Sequence, residues 1–166
     1  MNKKIIILNG AARKNGNTVG LVEAFEDGAK SAGNQVKTFY LDGMEIHSCK
    51  GCLRAGRDSK SPCSQKDDMD QIYAEFEDAD VVVFASPVYF WTITGILKTV
   101  ADRLYAELEC LGYGEFPKKS GIIVIPKSTH IERMKENFAT LDFDLEADEM
   151  RKIEQLEIGK SLFGWW

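Results

Sequence analysis

A chain of 166 residues, 44% of them apolar, can bury one hydrophobic core and suits a single domain. Its net charge of −5 argues against the basic face that nucleic-acid binding normally needs. No apolar run approaches the roughly 18 residues of a membrane span, and the N-terminal run is too short for a signal peptide, so we expect a cytoplasmic protein.

Four segments have the composition of β-strands. Three are continuous apolar runs, typical of parallel strands buried on both faces: residues 5–8, 81–84 and 122–125. Residues 36–41 are more mixed, as expected of a strand nearer the edge of a sheet.

Amphipathic helical patterns separate these segments. Gly33 is placed to end the first helix, and Asp67 is placed to cap the second. Apolar residues recur at helical spacing along three stripes: Val22, Phe25 and Ala29; Met69, Ile72, Tyr73 and Phe76; and Ile93, Ile96, Leu97, Val100 and Leu104. The order β-α-β-α-β-α-β predicts a doubly wound α/β sandwich.

The pattern is weaker towards the C-terminus. Residues 131–139 and 147–156 are predicted to be helical. Residues 141–145 alternate apolar and acidic side chains, which fits either a short fifth strand or an extended loop.

The loop after the first predicted strand has the composition of a phosphate site. It sets a cation and small polar side chains directly before a helix, where the dipole favours an anion: Arg13, Asn15, Asn17 and Thr18. An ordinary turn with a helix cap would explain Asn17 or Thr18 alone. The loop lacks both GxxxxGK[ST] and GxGxxG, which favours a mononucleotide over a triphosphate or a dinucleotide.

A second loop follows the third predicted strand and is rich in aromatic residues. Ligands of open α/β sheets bind beyond the carboxyl ends of the strands, so this loop is placed to wall a flat ring. The residues concerned are Pro87, Val88, Tyr89, Phe90 and Trp91. The alternative is that the three aromatic side chains fill the core or a subunit interface.

Over about residues 1–120 the chain resembles the flavodoxin-like NAD(P)H-dependent FMN reductases, including their iron–sulfur flavoprotein branch. Three segments carry this resemblance: NGAARKNGNT, SPVYFWTITG and LKTVADRL. The resemblance implies a three-layer αβα fold whose parallel sheet has the order 2-1-3-4-5 and binds FMN. By position, the first loop would hold the phosphate and the second would border the isoalloxazine. Ala11 and Ala12 stand where the family commonly has Ser-Pro, which implies a lower affinity for FMN.

Three cysteines lie between the second strand and the second helix: Cys49, Cys52 and Cys63. The iron–sulfur branch carries four closely spaced cysteines there, whereas this chain has Ala55 where a further ligand would stand. A [4Fe–4S] cluster usually takes four thiolates, so we expect no cluster unless Cys110 contributes. A redox-active thiol pair or a metal site on the three cysteines stays open.

Residues 121–164 resemble instead the C-terminal part of an aldo-keto reductase. In that family the residues matching Lys127, Ser128, Arg133 and Asn137 contact the adenosine end of NADPH. The barrel strands that carry the family's catalytic residues are absent, which excludes its chemistry. We interpret the chain as a chimera, natural or engineered, in which residues 121–166 complete one flavodoxin-like domain over residues 1–166. Lys127 and Ser128 are candidate NADPH or phosphate contacts, against the alternative of a solvated lysine and a capping serine.

Together these features predict an FMN-binding oxidoreductase that passes electrons from NAD(P)H to a small-molecule acceptor such as a flavin or quinone. Flavin N5 would carry the hydride, so no catalytic acid or base is predicted. The alternatives are an electron carrier without NAD(P)H turnover and a fold chimera in which FMN binding is incidental. The aromatic loop and the apolar tail at Trp165 and Trp166 favour a homodimer.

Overall fold

The computed structural model describes residues 2–112 and 120–124, all within one structural unit that spans residues 1–127. Four parallel strands form its centre: β1 (Lys4–Asn9), β2 (Gln35–Tyr40), β3 (Val81–Ala85) and β4 (Ser120–Val124). They lie in the order β2-β1-β3-β4, which agrees with the first four places of the expected order. The fifth strand considered at residues 141–145 falls outside the described residues.

Within the described residues, four α-helices and one short 3-10 helix join these strands. Helix α1 (Asn17–Ser31) connects β1 to β2, and the 3-10 helix (Leu41–Gly43) follows β2. Helix α2 (Met69–Asp78) leads into β3, and α3 (Gly95–Arg103) and α4 (Tyr105–Leu111) follow β3. In this part of the chain no helix is long and apolar enough to cross a lipid bilayer.

Strand β1 is buried on both faces and so divides the core in two. Because side chains alternate along a strand, Ile5 and Ile7 face α1, whereas Ile6 and Leu8 face the side that carries α2 and α3. The result is a helix–sheet–helix sandwich, as predicted. Strand β2 has more exposed side chains than β1, in keeping with its place at the edge of the described sheet.

Of the two helix ends predicted from the sequence, one is correct and one is wrong. Helix α1 ends at Ser31, and Gly33 takes a positive φ of 84° just beyond it, a conformation that glycine adopts without steric cost. The prediction that Asp67 is the N-cap of α2 is wrong, because Asp68 holds that position. Asp67 still accepts a hydrogen bond from the Met69 N–H (3.2 Å), but its carboxylate mainly pairs with a buried arginine described below.

The third predicted apolar stripe is longer than the helix that carries it. Helix α3 contains Ile96, Leu97 and Val100, while Ile93 precedes it and Leu104 lies at its junction with α4. The helices predicted at residues 131–139 and 147–156 lie outside the described residues.

Candidate functional site

A cavity of about 570 Å³ opens at the carboxyl ends of β1 and β3. These strands are adjacent, and the Gly10 N–H, just past β1, donates to the carbonyl of Ala85 at the end of β3 (2.8 Å). The loops after both strands therefore meet. They bring together every residue predicted to bind the cofactor: Arg13, Asn15, Asn17, Thr18, Pro87, Val88, Tyr89, Phe90 and Trp91. Ala11 and Gly16 also line the cavity.

One end of the cavity is polar and favours an anion. Helix α1 begins here at Asn17, and its N-cap, Gly16, provides no side-chain hydrogen bond to the first turn. The positive end of the helix dipole thus faces a site that also carries the Arg13 guanidinium. Thr18 is buried, whereas Arg13 and Asn15 are exposed. No acidic side chain is among the described residues that line the cavity.

The other end of the cavity is formed by a tight aromatic turn. Tyr89 and Thr92 exchange two backbone hydrogen bonds (2.9 and 3.1 Å), which closes a two-residue hairpin. Both central residues have positive φ, 42° at Phe90 and 68° at Trp91. This is the backbone of a type I′ turn, in which Asn-Gly is the usual pair. Non-glycine residues held in such a conformation store on the order of 1–3 kcal/mol of strain each, and such positions cluster at functional sites.

The aromatic side chains of this turn project away from the core. Phe90 is 94% exposed and Trp91 is 84% exposed, and Tyr89 is also largely accessible. The alternative that they fill the core of this unit is therefore wrong for Phe90 and Trp91. A role at a ligand or at a subunit interface remains.

The first loop is positioned by Asn9 and Gly10. The buried Asn9 side chain accepts a hydrogen bond from the Ala11 N–H (3.0 Å) through Oδ1. Gly10 packs so closely that a Cβ atom there would lie 2.5 Å from Thr94 Oγ1 and 2.9 Å from Leu97 Cβ. Gly10 was expected from the sequence as part of this loop, whereas Asn9 was missed, although a polar residue directly after a buried strand is a usable signal.

The second loop is positioned by a buried hydroxyl. Ser86 Oγ accepts the Thr94 N–H (2.9 Å) and donates to the carbonyl of Pro87 (2.8 Å). It thereby joins the start of the loop to its end at the N-cap of α3. The aromatic turn between these points is held at both ends.

The cysteine-containing loop lies between the 3-10 helix and α2. Cys49 and Cys52 are exposed, whereas Cys63 is partly buried and packs against the core cluster. All three border a small cavity of about 30 Å³, yet among the described residues no three Cys, His, Asp or Glu side chains form a group able to hold a metal ion. A hydrogen bond with Ser64, together with the backbone N–H of Arg54, lowers the pKa of the Cys52 thiol. A metal site on the three thiols stays a prediction without support from this arrangement.

A buried ion pair, missed from the sequence, ties this loop to α3. The fully buried Arg103 guanidinium pairs with both Asp67 oxygens (2.7 and 3.0 Å) and donates to the carbonyl of His47 (2.8 Å). Burial opposes ionisation of Asp67, but the hydrogen bonds from Arg103 and from the backbone of His47 and Met69 outweigh it and lower its pKa to about 2. The sequence offered one signal for this pair: Arg103 lies three residues after Val100, on the stripe of α3 that faces the core, where a charged residue needs a partner.

The candidate NADPH contacts Lys127 and Ser128 lie outside the described residues. So do Arg133 and Asn137 of the aldo-keto reductase-like segment. Cys110 is described: it lies in α4 and is partly buried, and burial raises the pKa of its thiol.

Comparison with known proteins gives a family match over most of the chain. The model of the family described as NADPH-dependent FMN reductase matches residues 3–140, beyond the change of family inferred near residue 120. An iron–sulfur flavoprotein from Archaeoglobus fulgidus is 36% identical over 100 residues, which cover 60% of this chain and 48% of that protein. The chain spans about half the length of the curated relatives that it matches over its N-terminal part.

Two further similarities concern a second family and the fold. Over 60 residues the chain is 54% identical to aldo-keto reductase family 1 member D1 from Rattus norvegicus, covering 36% of this chain and 18% of that protein. Among solved structures, the NAD(P)H:quinone oxidoreductase from Methanothermobacter marburgensis matches with a TM-score of 0.63 and 19% identity, over 86% of this chain and 72% of that chain. At this identity the structural match shows the flavodoxin-like fold alone.

Proposed function

Because the chain belongs to the NADPH-dependent FMN reductase family, we propose that it binds FMN in the cavity between the β1–α1 and β3–α3 loops and passes electrons from NAD(P)H to a small-molecule acceptor. The observation that carries this proposal is the composition of that cavity. One end offers a cation and a helix N-terminus, and the other offers a wall of aromatic and apolar side chains.

The donors at the cavity fit an FMN molecule. The phosphate would be bound by the side chains of Arg13, Asn15 and Thr18, together with the first N–H groups of α1. Pro87, Val88 and the aromatic turn would border the isoalloxazine ring. The cavity volume of about 570 Å³ lies within the range usual for cofactor sites, and Ala11 contributes a methyl group where a hydroxyl would add a further donor.

In this mechanism the protein binds and orients rather than exchanging protons. Bound FMN supplies the hydride chemistry at its N5 atom. The rigid loop after β1 would fix the phosphate end, since Asn9 holds its backbone. The Tyr89–Thr92 hairpin would cover the ring with Phe90 and Trp91 and exclude water from one side. No acid or base of the chain is assigned a role.

The proposed acceptor is a flavin or a quinone, and the alternative is an electron carrier that binds FMN without oxidising NAD(P)H. One pair of measurements tests both. The absorbance spectrum of the isolated protein, followed by titration with FMN, should reveal stoichiometric flavin binding. NADPH and NADH oxidation is then followed with a quinone or ferricyanide as acceptor.

The outcomes separate the hypotheses. Steady turnover of either nicotinamide supports the reductase. Flavin binding with almost no turnover supports the carrier. Absence of bound flavin together with failure to take up added FMN would contradict both and would favour the chimera in which flavin binding has been lost.

A further inference from the structure

We propose that Cys49 and Cys52 form a dithiol that is oxidised to an intramolecular disulfide by low-molecular-weight disulfides, as a redox site separate from the flavin cavity. The proposal rests on the exposure, spacing and surroundings of these two thiols. It does not depend on FMN binding, since neither cysteine lines that cavity.

The loop does not fit the iron–sulfur cluster that the names of the relatives would suggest. A [4Fe–4S] cluster takes four thiolates, and this loop has three. The position at cluster spacing after Cys52 is Ala55, whose backbone N–H donates to Glu109 Oε2 (3.2 Å). Cys63 packs against the core cluster beside α2. What remains at the surface is a pair of thiols.

The pair has the features of an exchanging dithiol. The two cysteines are three residues apart, the spacing of thiol–disulfide oxidoreductase motifs, and both are exposed and not bridged to another cysteine. The Gly51 N–H donates to Cys49 Sγ (3.4 Å), and the Ser64 hydroxyl lies 3.6 Å from Cys52 Sγ. Hydrogen bonds to sulfur stabilise the negative charge of a thiolate, which is the reacting species.

The loop also gives a reagent access to the thiols. Cys49 borders a cleft of about 710 Å³ between the loop and the α3–α4 region, with Leu53 and Leu108 among its walls. Gly51 has a φ of 58° and Leu53 a φ of 49°, so the backbone takes a left-handed conformation between the two thiols and again just after them. Cys49 and Cys52 also border the same small cavity of about 30 Å³.

The exchange proceeds in two balanced steps. The Cys52 thiolate attacks one sulfur of the disulfide reagent, a mixed disulfide forms, and one reagent thiolate leaves and takes the proton that Cys52 lost. The Cys49 thiolate then attacks Cys52 Sγ, the Cys49–Cys52 bond forms, and the second reagent thiolate leaves and takes the proton from Cys49. Two electrons pass from the cysteine pair to the reagent disulfide.

The test uses the full-length protein and glutathione disulfide as the probe. After equilibration, free thiols are alkylated and the intact mass is measured. The chain has four cysteines, and we expect two to escape alkylation without a glutathione adduct, with peptide mapping placing the bond between Cys49 and Cys52. Cys49→Ser should stop at a glutathione adduct on Cys52, while the control Cys110→Ser should form the same disulfide as the original chain.

Three results would overturn the proposal. One is retention of all four alkylated thiols under strongly oxidising glutathione. Another is a disulfide that maps to Cys63, or a persistent adduct on the unchanged protein. The third is protection of Cys49 and Cys52 from alkylation by anaerobic incubation with ferrous iron and sulfide, accompanied by iron–sulfur absorbance. Because the readout is protein mass, a failure of flavin binding leaves this test unaffected.

Discussion

Arg13 is the only charged side chain among the described residues that line the cavity, and it lies at the helix end where a phosphate would bind. Its neighbour Lys14 is also exposed but does not line the cavity. By charge alone, either residue could attract an anion. Only Arg13 lines the cavity, so we propose it as the phosphate contact, and the two residues form a natural pair for a test.

We expect Arg13→Ala to weaken FMN binding by about tenfold to a hundredfold, because a charge-assisted hydrogen bond contributes roughly 1.5–3 kcal/mol. Lys14→Ala is the control and should change the affinity little. Fluorescence titrations with FMN and with riboflavin, which has no phosphate, provide the measurement. Equal losses for both ligands would show that Arg13 does not contact the phosphate.

Gly10 packs tightly against the N-terminal part of α3. A methyl group there would meet Thr94 and Leu97 at 2.9 Å or less. We expect Gly10→Ala to lower the free energy of unfolding by about 1–3 kcal/mol, because overpacking forces neighbouring atoms to shift. Gly20→Ala is the matched control: α1 has open space there, and the change should raise stability by roughly 0.5–1 kcal/mol. Urea unfolding of both variants measures the difference, and equal stabilities would refute the close contact.

At the scale of elements, the Tyr89–Thr92 hairpin is a strained segment with two exposed aromatic side chains at its tip. For the stability of the turn alone, Asn-Gly would be the favoured pair at these two positions. The chain has Phe-Trp instead, which a ligand or partner contact would explain. Replacing this pair by Asn-Gly should therefore raise the free energy of unfolding and weaken the binding of the ligand or partner.

We expect the double variant Phe90→Asn, Trp91→Gly to raise the free energy of unfolding by on the order of 1 kcal/mol, because it relieves the left-handed strain. The same variant should bind FMN about three- to tenfold more weakly, through loss of ring contacts. Thermal unfolding and flavin titration are measured on one preparation. A variant that is less stable and binds FMN normally would contradict both parts.

The Asp67–Arg103 pair joins the cysteine-containing loop to α3, and its effect depends on pH. The pKa of Asp67 is about 2 in the folded chain, below its value of roughly 3.9 in an unfolded chain. A lowered carboxyl pKa stabilises the folded state above the unfolded value, and this contribution is lost as the pH falls from about 4 to 2. Its size is on the order of 2 kcal/mol.

Asp67→Asn should remove this part of the acid dependence and lower stability near neutral pH by about 3–5 kcal/mol, because Arg103 would remain buried with its charge uncompensated. Asp42→Asn, at an exposed position in the 3-10 helix, is the control and should keep the acid dependence of the original chain. Urea unfolding at several pH values between 2 and 7 gives the comparison. An unchanged pH profile in Asp67→Asn would show that the pair does not hold the loop.

At the scale of the whole molecule, a large exposed aromatic surface is typical of a ligand or partner contact. Phe90 and Trp91 together present such a surface beside the cavity. We expect a homodimer, with a mass by light scattering near twice the chain mass of 18.6 kDa. The Phe90→Asn, Trp91→Gly variant should shift the mass towards the monomer. A monomeric mass for the unchanged chain at every concentration would exclude this assembly.

The C-terminal segment raises the question of how many families contribute to the chain. The match of 60 residues to an aldo-keto reductase supports the interpretation that one chain joins segments of two families. The FMN reductase family match nevertheless runs to residue 140. A single domain over residues 1–166 stays a prediction, as does any contact of Lys127 or Ser128 with a nucleotide.

The strands, the first three helices and the two cavity loops could be predicted from the sequence because their signals are local. Continuous apolar runs mark buried strands, 3.6-residue periodicity marks the helices, and the carboxyl ends of adjacent parallel strands must meet. From these rules alone, residues more than seventy positions apart, such as Arg13 and Trp91, were expected at one site, and they line one cavity.

Only the tertiary structure decided the rest. The left-handed turn at Phe90 and Trp91 contradicts local preference, and the pairing of Arg103 with Asp67 spans 36 residues. The placement of Cys63 against the core, apart from two exposed thiols, depends on how the loop packs. The last two features follow from contacts between segments distant in the chain, where packing and charge pairing override what each residue would do alone. The sequence by itself thus predicted the ligand class and which residues share one cavity, and the structure decided which side chains are strained, buried or exposed.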